Sequence, residues 1–137
     1  MTGEKDLKTL LQSMKPHLNE GEYVFCTVEK LPNIDLNEII CFFKEQESIT
    51  LIIKKELADQ LHFKYEFVAS WITLEIHSSL EAVGLTAAFS KALTSKNISC
   101  NVIAGYFHDH IFVSVDDADN TMTELKKLSK TAHLFDV

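Results

Sequence analysis

The stretch from Trp71 to Val115 constrains the fold of this chain most, because four elements follow one another in it without conflict. A run of strand-forming residues ends near His77. After it, Leu85, Ala88, Phe89, Ala92 and Leu93 fall at i, i+3, i+4, i+7 and i+8, with Ser90, Lys91, Thr94 and Ser95 on the other side. That spacing makes one apolar stripe on a 3.6-residue period and predicts an amphipathic helix, entered through Gly84 and closed by Asn97 as a left-handed cap. Cys100, Val102, Ala104 and Tyr106 then alternate with Asn101, Ile103 and Gly105, Phe107-His108-Asp109-His110 turns the chain, and Ile111 to Val115 returns. Alternation on both sides of a turn predicts an antiparallel hairpin.

The flanks extend this order. Leu7, Leu10, Leu11 and Met14 form a helical stripe that Pro16 stops, and Tyr23 to Val28 is an aromatic and β-branched strand after Gly21. Asp35 and Glu38 have capping-box spacing ahead of Leu36, Ile39, Ile40 and Phe43, which predicts a second helix. Ile49 to Ile53 reads as a strand buried on both faces, and Lys54 to Leu61 as two helical turns. Between Tyr65 and His77 the apolar phase passes from Phe67, Ala69 and Trp71 to Ile72, Leu74 and Ile76, which predicts a bulge, a bend or a handover between layers, with a module boundary there. Asp116 and Asp117 open a last helix with Ala118, Met122, Leu125 and Leu128 inward and Lys126, Lys127 and Lys130 near its C-terminal dipole; Thr131 to Val137 would add an edge strand.

From Phe67 onward the order is strand, helix, strand, strand, helix and a final strand, and the first half repeats it in reduced form. The predicted class is α+β: two ferredoxin-like βαββαβ modules, antiparallel sheets with helices on one face, residues 1–65 (with a leading helix) and 66–137.

Charge and composition exclude several functions. The net charge is −7, spread over both halves, and every basic residue is a lysine, so no guanidinium is present to clamp a phosphate or a guanine edge. Nucleic acid is not an expected partner. No apolar run reaches the roughly 20 residues of a membrane span, and the first residues lack the basic and apolar regions of a leader, so a cytoplasmic address without a membrane partner is expected. Cys26, Cys41 and Cys100 are odd in number, far apart and outside any C-x-x-C pair, and read as small buried hydrophobes, Cys41 on the second helix.

Val83-Gly84-Leu85-Thr86-Ala87-Ala88-Phe89-Ser90-Lys91-Ala92-Leu93, followed by Asn97-Ile98-Ser99-Cys100-Asn101-Val102, resembles the ACT domains, ferredoxin-like regulatory modules that commonly bind amino acids. Ser79 to Ala88 with Tyr106 to Val113, together with Gly21 to Phe25 and Glu56-Leu57-Ala58, resembles small bacterial tandem-ACT proteins and, more distantly, the ACT modules of cytosolic arginine sensors. Ala82 and Val83 stand where many ACT domains have an acidic or amide residue and a proline, so ligand contacts do not transfer atom by atom.

The resemblance implies a non-enzymatic, small-ligand regulatory protein that forms a homo-oligomer such as a dimer and uses no cofactor. Backbone N–H groups near Gly84 would hold a ligand carboxylate, with Ser79, Glu81, Val83 and Leu85 around them and Ile103 and Gly105 facing. Two bland readings stand beside this one. Gly84 also suits a plain turn or close helix packing, and Ser78-x-x-Glu81 is a capping box that needs no ligand; with a ligand bound, Glu81 would face its amino or guanidinium group. His108-Asp109-His110 offers two imidazoles to a metal but no identifiable third ligand, which favours a structural turn with Asp109 bonding its own backbone. No nucleophile turn or oxyanion loop surrounds any serine, so nothing points to catalysis. Trp71, Phe63, Tyr65 and Phe67 read as core packing. The rival to ligand binding is a structural module whose sheet edges pair with another chain.

Overall fold

The computed structural model describes residues 6–76 and 82–132. In chain order its elements are α1 (Leu7–Ser13), β1 (Lys15–Leu18), β2 (Tyr23–Val28), a 3-10 turn at Leu36–Glu38, β3 (Ile39–Lys44), β4 (Ile49–Lys54), α2 (Lys55–Gln60), β5 (Val68–Glu75), α3 (Leu85–Thr94), β6 (Asn101–Ala104), β7 (Asp109–Ser114), a 3-10 turn at Val115–Asp117, and α4 (Ala118–Lys130). They fall into two compact units, one made of Met1–Asn19 with Trp71–Val137 and the other of Glu20–Ser70. These packing units differ in outline from the contiguous modules 1–65 and 66–137 expected from the sequence. The cause lies in α1, whose Leu10, Leu11 and following Met14 are buried with Phe89 and Leu93 of α3 and Leu125 and Leu128 of α4. Each such side chain contributes roughly 1.5–3 kcal/mol on burial, which ties the leading helix to the C-terminal elements.

In the 20–70 unit the strand order is β3-β4-β2-β5. β2 and β4 are antiparallel from Tyr23↔Lys54 to Val28↔Ile49, and β5 joins through Val24↔Val68 and Tyr23↔Ala69. The helix expected over Leu36–Phe43 is a correction: only Leu36–Glu38 turns, and Ile39–Lys44, including Cys41, is a strand paired with β4 across a bulge between Ile39 and Cys41. Asp35 does cap the turn, accepting from Asn37 N at 2.9 Å. Five consecutive β-branched, sulfur and aromatic residues from Ile39 to Phe43 fit a pleated ladder better than a helix, and helical spacing over so short an apolar run cannot tell the two apart. The reduction of this module is thus the loss of a helix. β4 is interior, and Leu51, Ile52 and Ile53 are all buried, as its unalternated sequence requires. Its core of Val24, Cys26, Leu51, Ile53 and Ala58 takes in Phe63, Tyr65 and Val68.

In the split unit β5 lies between β1 and β7, with β6 beyond β7. β1 supplies the fourth strand from the front of the chain, Lys15↔Glu75 through Leu18↔Ile72. The edge strand expected at the tail lies outside the described residues beyond Ala132. The phase change before His77 falls at Trp71 and Ile72, where β5 passes from pairing with β2 through Val68 and Ala69 to pairing with β1 through Ile72–Glu75. Ile72, Leu74 and Ile76 enter the core of the split unit, and the opposite face is covered as well, with Trp71 stacked at 6.2 Å on Phe112. Helix α3 buries Leu85, Phe89 and Leu93 as its stripe predicts, and Asn97 is left-handed at φ 60°.

Candidate functional site

The hinge that the sequence singles out is described from Ala82 onward; Ser78, Ser79 and Glu81 lie outside the described residues. Val83 is 83 % exposed and Leu85 is buried. Gly84 sits between them at φ 99°, ψ −14°, a conformation that side-chain-bearing residues rarely adopt. It opens α3 with no side-chain cap, its carbonyl accepting from Ala88 N at 2.9 Å. A Cβ built on Gly84 would stand 3.1 Å from Leu7 Cδ2 of α1. The glycine is therefore required by backbone and packing whether or not a ligand approaches it.

The β6–β7 turn lies at the same end of the sheet. His108 Nδ1 is 3.2 Å from the N and 3.3 Å from the O of Ile76, the residue that follows β5, and holds one or the other according to its tautomer. Gly105 N donates to His108 O at 2.9 Å, and a Cβ on Gly105 would lie 2.9 Å from that same oxygen, so the tight turn needs glycine. The turn thus occupies Gly105–His108, two residues earlier than the sequence predicts, and presents the exposed rings of Tyr106 and Phe107.

Shifting the turn moves Asp109 and His110 onto β7, where neighbours face opposite ways. His110 faces away from the helices. Its Nδ1 accepts from Trp71 Nε1 at 3.0 Å and lies 3.1 Å from Thr73 Oγ1, which in turn accepts from Asn19 Nδ2 at 2.9 Å. Burial, and then the neighbouring charge of His108, lower its pKa below the ordinary histidine value. With His108 on the Ile76 backbone and His110 on Trp71 and Thr73, the His-x-His pair is committed to structure. No group of three metal-ligating side chains occurs among the described residues. Ile103 pairs directly with His110, so its side chain shares that face, opposite the helix layer into which Leu85 packs. Of the predicted site residues, Val83, Gly84 and Leu85 stand at the entrance of α3, Gly105 lies in the turn whose His108 reaches Ile76, and Ile103 lies on the face of the sheet opposite the helices.

Asp109 faces the helices, in phase with the core residues Ile111 and Val113. It is 7 % exposed, the one ionisable residue among the buried polar ones. Its carboxylate makes no hydrogen bond or ion pair among the described residues, so the expected bond to its own backbone is corrected. Burial raises its pKa. Since every sealed side-chain N or O of the described residues has a partner, the carboxylate oxygens keep contact with solvent. Reading the alternation backward from Val113 and Ile111 would have found Asp109 in the sequence; placing the turn at 107–110 hid it.

Two open grooves lie elsewhere. One of about 660 Å³ in the 20–70 unit is walled by Glu20, Glu22, Lys54, Lys55 and Asp59, and one of about 310 Å³ in the split unit by Lys96, Asp117, Asn120 and Glu124. Neither includes a predicted site residue. Burial pushes the Cys100 thiol up to about 11, and the Cys26 thiol upward as well, so neither is a ready nucleophile.

The split unit carries β5, α3, β6, β7 and α4 in the ferredoxin-like order with β1 as its fourth strand, and a left-handed glycine opens α3. Two family models, each described as ACT domain, match residues 2–70 and 66–127, and the chain belongs to the ACT-domain family. A Vibrio cholerae protein of unknown function, described as a possible transport protein, is 46% identical over 91% of this chain and 97% of its own, with a TM-score of 0.80. The Agrobacterium tumefaciens protein Atu0741 is 14% identical over 85% of this chain and 89% of its own, TM-score 0.63. The ligand-free regulatory subunit of aspartate kinase from Thermus thermophilus is 8% identical over 85% and 99%, TM-score 0.61; these last two show the fold alone. No curated protein matches the chain. No helix among the described residues is long and apolar enough to cross a membrane.

Proposed function

We propose that this protein is a non-enzymatic sensor that binds a small metabolite of the amino-acid class at the loop end of the split unit. The observation that carries the reading is Gly84, left-handed at the entrance of a helix whose first-turn N–H groups have no side-chain cap. Such a terminus accepts a carboxylate through backbone donors, which matters in a chain without arginine. Gly105 and the His108 clamp on Ile76 hold the facing turn. Ser79 and Glu81 remain part of the proposed site, and Ile103 supports it from the far face of β6. Binding would act by linkage: the ligand favours one arrangement of the loop end in proportion to its differential affinity.

Thermal melting against each of the twenty amino acids at millimolar concentration tests this. A ligand at 100 times its dissociation constant adds about 2.7 kcal/mol. A uniformly flat panel sinks the reading.

One observation favours a second reading. β3 ends its sheet with Phe42 and Phe43 exposed, the latter at 69 %, after the exposed Leu36 of the preceding turn, and among the described residues it pairs only on its β4 side. An apolar edge of this kind suits pairing with another chain, a second copy included. Sedimentation of wild type and Phe43→Lys separates the readings: an assembly that dissolves in the variant, with a flat amino-acid panel, favours the structural module.

A further inference from the structure

We infer that His110 is an acid-sensitive latch on Trp71: on taking up a proton it releases the indole and loosens the two residues through which the chain leaves the split unit and returns to it. Those residues are Asn19 and Trp71, the last before the 20–70 unit and the first after it. They hold each other, the Trp71 carbonyl accepting from Asn19 N at 2.9 Å and from Asn19 Nδ2 at 3.2 Å. His110 fixes the other end of Trp71 by accepting from the indole N–H at 3.0 Å, with the rings 5.7 Å apart. The latch needs no ligand.

The contrast with His108 carries the inference. His108 Nδ1 meets both the N–H and the carbonyl of Ile76, so the neutral ring accepts from one and the protonated ring donates to the other. Its hold survives a change of charge. His110 Nδ1 meets Trp71 Nε1 and Thr73 Oγ1 instead. The hydroxyl can turn round and accept, but an indole N–H only donates. A proton on Nδ1 therefore sets donor against donor, and the Trp71 bond fails. Thr73 is 8 % exposed and the indole bond is part-buried, so water replaces the lost acceptor poorly. The other charged or titratable groups on this face are His108 in the turn before β7, Glu75 on β5, and Lys15 and His17 on β1; β6 presents Asn101 and Ile103, which do not titrate. Burial, and then the charge of His108, keep His110 neutral until the pH falls below the ordinary histidine range. The latch is thus closed at neutral pH and opens on acidification.

Trp71 is the sole tryptophan, so its indole N–H gives one resonance. The test follows that resonance, the ring signals of the histidines and amide hydrogen exchange in the whole protein from about pH 8 to about pH 5, a range that spans histidine titration. The indole shift should move with the midpoint of His110. Over the same range the protection factor of the Asn19 amide should fall roughly fivefold, what one hydrogen bond is worth net, while Leu51, Phe89 and Leu93 keep theirs. His110→Asn, which does not titrate, should abolish the pH dependence of the indole, and His17→Gln should leave it in place. An indole shift that stays flat through the His110 titration, or follows His17 or His108, overturns the inference. Protection lost throughout the split unit at the same pH is acid unfolding and overturns it too. The wild-type titration decides by itself if His110→Asn does not fold.

Discussion

Replacing Gly84 with alanine separates what the backbone demands from what a ligand would demand. At φ 99° the alanine Cβ is strained, and it would also stand 3.1 Å from Leu7 Cδ2. Strain in such a region costs of order 1–2 kcal/mol per residue, and a contact that a half-buried leucine can relieve by rotating adds a few tenths more. The expected loss is about 2 kcal/mol, or roughly 6–10 °C in melting temperature for a chain of this size. Repeating the substitution in a Leu7→Ala background removes the contact and leaves the strain, so most of the loss should survive there. Denaturant melts of the four proteins give the cycle. If Gly84→Ala is neutral, or stabilises as glycine replacements do at permissive backbone angles, the left-handed geometry assigned to this hinge is wrong.

Other expectations follow from the two cores and the titrating groups. Phe89→Ala, at a fully buried side chain of α3, should cost about 3–5 kcal/mol by chemical denaturation, and a loss below 1 would contradict the packing of the split unit. For His110 burial holds the folded pKa below the ordinary histidine value of 6.5, so the unfolded state binds the proton more readily. Stability should therefore fall as pH drops from about 6.5 through the folded value, and His110→Asn should flatten that arm of the profile. At pH 8 the native protein should react slowly at the Cys100 thiol with a disulfide reagent, and full denaturation should speed the reaction; immediate modification of the native protein would contradict a partly buried thiol with a pKa of about 11.

The sequence carried the elements whose signal is one-sided. The α3 stripe, the left-handed Asn97 and the doubly buried β4 all follow from periodicity over enough residues to exclude the alternative. Ile39 to Phe43 did not, because five apolar residues satisfy both helical and strand spacing, and only pairing with β4 decides. β1 was hidden for a related reason: Lys15-Pro16-His17-Leu18 has weak strand propensity, and its place beside β5 is a long-range contact that local pattern does not encode. At the candidate site, Gly84 and Gly105 were legible as glycines, but their reasons, Leu7 for one and His108 O for the other, are tertiary. Asp109 was misread because a two-residue error in the turn changes which way a strand residue faces.

The most direct test of the account is amide chemical-shift mapping with whichever amino acid raises the melting temperature most. Shifts concentrated at Val83–Ala87 and at Ala104–Asp109 are the predicted result. Shifts confined to Glu20–Ser70, or none anywhere in the split unit, would contradict a ligand site at the entrance of α3.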